Sequence, residues 1–390
     1  MTFEASARPE RTVALVSWTL SKNRVNKANP KTPAAKWNRD MLRWLGEAVK
    51  KDPEVDIASL LSKNYSDKLK LLKAEPSRAK GATRSFPPDD VRSRFDVTAA
   101  VSTVFEPSTE LQLFLQNDKS LSETLIDLLD ESEVLYKSVW AASVMVFRVK
   151  ETFAVKVLAN EDNASTEHQS LTYLREHLPG FPVPQPHGLL RFGIYSLLFT
   201  SFVPGINLET AWGQLSDSEK QSISAQLNAL LSQMRSLPFP DGMTVGGVGG
   251  LPCRDIRRST RVSRKPIIND QEFQDWVFSG AKTVSPVYTR LLRSLLPTLP
   301  VKCVFTHGDI RPANILVQKA DDGSWTIAAI IDWETCGFYP EYWESVKATN
   351  ILTPREESDW YNYLPDLASP NRYPVQWLVD RLWDRNMENS

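Results

Sequence analysis

The spacing of apolar and polar positions changes character three times along the 390-residue chain. Through residues 1–95, apolar runs are short and broken by Lys, Ser, Asn and Pro, as in SKNRVNKANPKTPAAKW and AEPSRAKGATRSFPPDD. One stretch there, Asn38 to Val49, sets Met41, Leu42, Trp44, Leu45 and Val49 at helix-like intervals. The segment reads as an N-terminal extension with one or two helices and disordered joints. From about Phe95 the pattern tightens. Leu121 to Leu135 has helical character, and VMVFRV (144–149) and TFAVKVL (152–158) form two β-rich runs around Lys150-Glu151, the spacing of a hairpin. A helix follows over Ser165 to His177, closed by Pro179-Gly180. A second strand pair is expected at Gly188–Phe192 and Tyr195–Phe202.

After Pro204-Gly205 apolar residues recur every three or four positions over 207–213, 217–236, 270–279 and 284–296, the signature of helices. The Gly-rich run VGGVGGL (245–251) interrupts them. Two short strands are expected late, at Asn314–Val317 and Trp325–Ile331, joined by the turn Lys319 to Gly323. The order is therefore a small sheet with one helix, then a larger helical part carrying a late hairpin. The expected division is 1–95 extension, 96–203 sheet lobe with its exit segment, and 204–390 helical lobe.

Composition changes this picture little. A length of 390 suits two or three domains at about 100–200 residues each. The apolar fraction of 42% is enough for an ordinary core, and a net charge of −1 offers no global attraction for nucleic acid or an anionic membrane. The charge is uneven: residues 1–95 carry 20 Lys/Arg against 11 Asp/Glu. Such a segment is a solvated extension or, less commonly, a docking arm. Three cysteines without C-x-x-C spacing argue for a reducing compartment and against a disulfide scaffold, and four histidines in no H-x₃-H array argue against zinc. The first residues lack the basic start of a secretory signal, and no run reaches the roughly 18 apolar residues of a membrane span. The expected setting is cytoplasmic.

The candidate chemistry lies in FTHGDIRPANIL (305–316) and IIDWE (330–334). Asp309 follows His307-Gly308, Asn314 comes five positions later at the start of a strand, and Asp332 ends the next one. Phosphoryl transfer needs a carboxylate to take the proton of the attacking hydroxyl. It also needs a carboxylate and an amide oxygen on magnesium, where an amide avoids a further negative charge beside triphosphate. A hairpin carrying Asn314 and Asp332 at its ends would hold both oxygens in fixed relation.

With these residues the sequence resembles the aminoglycoside phosphotransferase and choline kinase superfamily, relatives of the protein kinases, over roughly 130–370. His307-Gly308-Asp309 with Asn314 matches the catalytic loop, Asp332-Trp333-Glu334 the metal motif, and CGFYPEYWE (336–344) a longer signature of fungal phosphotransferase-family members. The resemblance implies an α+β, bilobal protein kinase-like fold, with a small β-rich N-lobe and a larger, mostly helical C-lobe behind the extension. It implies ATP and Mg²⁺ as cofactors, Asp309 as base and Asn314 and Asp332 as metal ligands. Arg311 stands where a γ-phosphate lysine occurs in protein kinases, and His307 packs the loop against the metal strand. Upstream, Lys156 in FAVKVL matches the lysine that binds the α- and β-phosphates. Its helix partner is Glu167, with Glu176 as the other possibility. YSLLFTSFVPG (195–205) resembles the hinge, with Ser201, Phe202 and Val203 at the adenine edge.

One departure leaves the function open at this point. No glycine occurs between Gly81 and Gly180, so the phosphate-covering loop relies on the small Ala141, Ala142 and Ser143. A catalytically weak or inactive nucleotide-binding protein, docking through its basic extension, therefore stands beside the active small-molecule kinase. A protein kinase is the third reading, and the lack of an A-P-E triplet speaks against it. For the acceptor, Glu334, Glu341 and Trp343, with Tyr339, Tyr342 and Glu344, are candidates for an acidic, aromatic-lined wall. The alternative is that FYPEYW packs a loop onto the core. Asp255, Arg257 and Arg258 are candidates for a loop at the cleft mouth.

Overall fold

A computed structural model describes residues 33–60, 65, 69, 86–138, 144–256, 260–279, 284–297 and 301–387. Ala141, Ala142, Ser143, Arg257 and Arg258 lie outside the described residues. The chain divides into two compact units, Met1–Glu75 and Pro76–Ser390.

The first unit holds helix α1, Pro33–Lys51, and the short α2, Ile57–Leu60. The expected helix 38–49 thus extends at both ends, and Lys50 and Lys51 place positive charge where the helix dipole is negative.

In the second unit, Val91 and Phe95 are buried, and Phe95 stacks on Phe192 at 4.9 Å between ring centroids. The sheet contains β1 (Val101–Phe105), β2 (Glu133–Lys137), β3 (Met145–Val149), β4 (Phe153–Leu158), β5 (Pro186–Phe192) and β6 (Tyr195–Ser201). All neighbours are antiparallel, in the order β1-β5-β6-β4-β3-β2. The four strands read from the sequence form its centre. The two edges, β1 and β2, were not foreseen. Helix α3 spans Thr109–Leu115 and α4 Leu121–Glu131, the latter begun by a Ser120/Glu123 capping box. The helix expected to run to Leu135 stops at Glu131, and the apolar run Val134-Leu135-Tyr136 pairs with β3 instead. Lys156 sits in β4 opposite Val146 and Leu198, on the face away from the buried Val155 and Val157.

Helix α5 runs Glu161–His177, four residues longer at its start than the apolar spacing indicates. Asn160 caps it, and Glu161 and Asp162 fill a polar first turn that carries no apolar signal. Beyond the hinge come β7 (Ile206–Asn207), α6 (Leu208–Ala211) and the long α7 (Asp217–Arg235), opened by a Ser216/Glu219 capping box. The hairpin β8 (Arg254–Ile256) and β9 (Thr260–Val262) precedes α8 (Asp270–Val277) and α9 (Pro286–Ser294). β10 (Cys303–Thr306), β11 (Ile315–Lys319), β12 (Trp325–Ile330) and β13 (Gly337–Pro340) follow, then α10 (Trp343–Lys347) and α11 (Pro374–Met387). β11 pairs with β12 as expected and with β7 on its other side, while β10 pairs with β13. Leu227, Leu231 and Met234 of α7 join Phe305, Ile315, Val317, Ile330 and Trp333 in one core beneath these strands. A small β-rich lobe joined by a hinge to a larger, mostly helical lobe is the bilobal kinase-like α+β fold. Among the described residues no helix is long and apolar enough to cross a membrane, and all three cysteines are free.

One contact fixes β13. Gly246 and Phe338 exchange backbone hydrogen bonds of 2.9 and 2.8 Å, and a Cβ on Gly337 would lie 2.1 Å from the Gly246 carbonyl oxygen. Gly337→Ala should therefore lower unfolding free energy by more than about 3 kcal/mol, read as a fall in denaturant midpoint. An unchanged midpoint would show that the two backbones can separate without cost.

Candidate active site

Lys156 is the point where the lobes meet. Its Nζ lies 2.7 Å from Glu167 Oε2, 2.5 Å from Asp332 Oδ1 and 3.5 Å from Glu334 Oε2. Glu167 belongs to α5, and Asp332 and Glu334 follow β12, so one ammonium joins the sheet, the helix and the late hairpin. Glu176, the other helix candidate, is exposed. Burial works against the charge on Lys156, but Asp332, Glu167 and Glu334 together outweigh it and hold the ammonium protonated. Burial also opposes ionisation of Asp332, and Lys156 overcomes it, keeping that carboxyl below its ordinary range. Glu167 and Glu334 are shifted up, by burial first and by the Asp332 charge beside them. Three carboxylates thus share one cation, an arrangement short of positive charge. Each offers an oxygen within 4.8 Å of the others. An all-oxygen donor set is the chemistry that a hard divalent cation takes.

The residues of HGDIRPAN lie on the adjoining segment. Asn314 Nδ2 donates to the Asp309 carbonyl oxygen and to Asp309 Oδ2, both at 2.9 Å. With its nitrogen committed there, the amide oxygen is the atom left for a ligand. Burial pushes the Asp309 carboxyl up to about 6, helped by Asp332 and opposed by Arg311. Arg311 Nε stands 3.3 Å from Asp309 Oδ2 without hydrogen-bond alignment.

The loop is held from below. His307 Nδ1 accepts from the Asp309 amide at 3.1 Å, so Nε2 carries the proton and donates to Ile331 O at 3.1 Å. Burial keeps this imidazole neutral, with its pKa lowered to about 4. The ring packs edge-on to Trp333 at 4.5 Å. His307 therefore ties the loop to the residue before Asp332, the packing role expected of it. Gly308, at φ +80°, has no room for a side chain, because a Cβ would meet Thr335 O at 3.0 Å. Asp332 itself has φ +69°, left-handed backbone in a residue with a side chain. Its neighbours impose it: Ile331 N donates to Asn314 O and Trp333 Nε1 to Ile330 O. Strain of about 1–3 kcal/mol at such a position marks a site that the surroundings over-determine.

Three acceptor-side candidates, Trp343, Glu334 and Glu344, lie elsewhere than the sequence placed them. Trp343 is 1% exposed, edge-on to Phe273 at 5.1 Å in an apolar cluster with Tyr339, Val379 and Trp383. It is a core side chain and cannot line an open wall. Glu334 stands in the carboxylate cluster around Lys156. Glu341 is half-buried at the end of β13, where its backbone carbonyl accepts from Arg235. Glu344 was grouped with them, and its position is different again. Fully buried, its carboxylate accepts from the His307 amide at 2.7 Å and the Gly308 amide at 3.2 Å, and burial lifts its pKa to about 7. Nothing in the local spacing signals this support, which reaches across 37 residues. Asn207 was also missed; its Nδ2 donates to Ala313 O at 2.6 Å, beside the loop. At the hinge, the Ser201 amide donates to Gln185 O and the Phe202 amide to Thr152 O, both at 2.8 Å.

The profile of the family described as "Phosphotransferase enzyme family" matches residues 138–378, more than half of the chain. No curated protein matches. Among solved structures, a ternary complex of streptomycin, ATP and APH(2")-IIa is 11% identical, with 70% of this chain and 88% of that one covered at a TM-score of 0.43. An aminoglycoside-3'-phosphotransferase of type VIII is 17% identical, covering 66% and 92%, at 0.42. APH(3'')-Id from Streptomyces rimosus is 15% identical, covering 66% and 91%, at 0.38. The assignment rests on the profile match: the chain belongs to the phosphotransferase enzyme family and is a phosphotransferase.

Proposed function

We propose that the protein transfers the γ-phosphoryl group of ATP to a hydroxyl of a small molecule, with Asp309 as the base. The observation that carries this reading is Lys156 bridging Glu167 and Asp332 while Asp309 and Asn314 are bonded to each other alongside. Asp309 takes the proton of the acceptor hydroxyl as its oxygen attacks the γ-phosphorus. Lys156, released in part from Asp332, turns to the α- and β-phosphates and stays aligned by Glu167. Arg311, next to Asp309, faces the charge that spreads over the transferring group. Asp332 and the Asn314 amide oxygen would hold Mg²⁺, with Glu334 in reach of the same place. Bound there, Mg²⁺ supplies positive charge to the triphosphate oxygens.

The hinge supports one assignment among Ser201, Phe202 and Val203. Since the first two amides are already bonded within the protein, the Val203 amide is the donor for the adenine edge. A small acceptor is favoured over a peptide. From Asp332 the chain passes through β13 straight into α10, leaving no long segment on which a peptide would lie.

Calorimetric titration with ATP, with and without Mg²⁺, tests the nucleotide half. Wild-type protein should bind only with the metal, and Asp332→Ala should weaken binding by roughly a hundredfold. Metal-independent binding of equal strength in both proteins would overturn the assignment of Asp332. Asp309→Asn should keep Mg·ATP affinity within about threefold while phosphoryl transfer, to water or to an acceptor found by screening, falls by about 10²–10⁴. A variant that turns over normally would remove Asp309 from the chemistry.

The pH dependence has a defined sign. A base must be ionised, and Asp309 holds its proton up to about pH 6 in the free protein. kcat/KM for Mg·ATP should therefore rise with pH through about 6 and level above it. The Asp332 carboxyl is shifted down and remains charged across that range. A profile flat down to pH 4.5 would count against a buried carboxylate base.

A further inference from the structure

Helix α5 presents more to the cleft than Glu167. Asn163 lies four residues earlier, one turn away on the same face. Its Oδ1 accepts from Arg254 Nη1 at 2.6 Å. Arg254 begins the β8–β9 hairpin of the helical lobe and is only 5% exposed. Its Nε is buried without a hydrogen-bond partner, and among the described residues Asn163 is the group its guanidinium bonds. A buried guanidinium that depends on one amide for partnership is held strongly to it, because losing that amide leaves a buried donor without an acceptor.

The far side of the hairpin is anchored with equal care. Asp255 and Lys347 are 0% and 3% exposed and lie 2.7 Å apart. Lys347 Nζ also donates to Ile256 O at 2.6 Å, as does Asn350 Nδ2 at 2.8 Å. The Arg254 amide donates to the Tyr339 hydroxyl at 2.9 Å. Lys347 belongs to α10, the helix whose Glu344 supports the catalytic loop. The hairpin is thus fixed at its base to the element beneath Asp309, and its first residue reaches the other lobe.

We propose that Arg254 and Asn163 form a clasp between the lobes, fixing α5 at the rotation that brings Glu167 to Lys156. Both are positioning residues: neither touches the reacting groups, and each acts through the helix. Rotating α5 away would break Arg254–Asn163 and Glu167–Lys156 together, since positions 163 and 167 share one face. The clasp ties the geometry of the phosphate-binding lysine to that of the catalytic loop, and it rests on the reading of Lys156 and Glu167 as the nucleotide-binding pair.

The test uses the full-length protein, with Arg254→Gln, Asn163→Ala, the double variant and Arg254→Lys. Amide hydrogen exchange of α5 without nucleotide should quicken roughly tenfold in the first two turns of each single variant. The double should be no faster than the faster single, because both remove one bond. Mg·ATP affinity should fall about tenfold in the same variants, measured under conditions where each remains folded. Arg254→Lys should recover most of it, since an ammonium can still donate to Asn163. Unchanged exchange in α5, or effects on affinity that multiply in the double variant, would overturn the clasp. Wild-type protein that binds no Mg·ATP while exchange shows the coupling would overturn the nucleotide reading and leave the clasp standing. Should Arg254→Gln fail to fold, Asn163→Ala, at a half-buried position, reads the same bond from the other lobe and decides alone.

Discussion

An ammonium taken out of water must be surrounded by opposite charge, and Lys156 meets that requirement with carboxylates from two separate parts of the chain. Everything else in the cleft is arranged around this constraint. β4 must carry the lysine on its open face, α5 must stand at one particular rotation, and the turn after β12 must bend back far enough to bring Asp332 within 2.5 Å. The cluster is also unbalanced. Three acids around one base satisfy the lysine and leave the acids incompletely satisfied, which is why burial raises Glu167 and Glu334 while Asp332 stays low. The cluster therefore leaves negative charge incompletely balanced within the protein.

The floor beneath follows a different rule. There, buried polar groups find matched hydrogen-bond partners: Glu344 with two loop amides, His307 with one amide and one carbonyl, Asp255 with Lys347. Satisfied networks of this kind have few alternative arrangements, and together with the apolar core beneath they hold Asp309 and Asn314 in register. The upper cluster is poised to exchange partners, whereas the lower one is closed.

Much of the candidate site was legible because its residues lie close together in sequence and on regular elements. HGDIRPAN and IIDWE sit on a loop and hairpin that local spacing predicts, and Lys156 stands in a strand with clean alternation. What could not be read depends on distant contacts. The edge strands β1 and β2 carry half-exposed residues without alternation, and their pairing partners decide their state. β13 could not be read because its pairing with β10 and the close approach of Gly337 to Gly246 are both made with residues distant in sequence. Tyr339 and Trp343 look the same in sequence whether they line a cleft or fill a core, and here they fill the core. Glu344 illustrates the general limit: an acid in an aromatic run reads as surface, and only the fold shows two amides converging on it.

The left-handed backbone at Asp332 has a consequence for how this chain can vary over generations. That conformation admits glycine freely and, among residues with side chains, chiefly asparagine and aspartate. Partnership with Lys156 asks for a formal negative charge, which only aspartate and glutamate carry. The two sets share a single member. Drift at position 332 therefore has no neutral step available, whichever acceptor the surrounding surface comes to prefer. A glutamate there would conserve charge and lose the turn; an asparagine would conserve the turn and leave the lysine short of an anion.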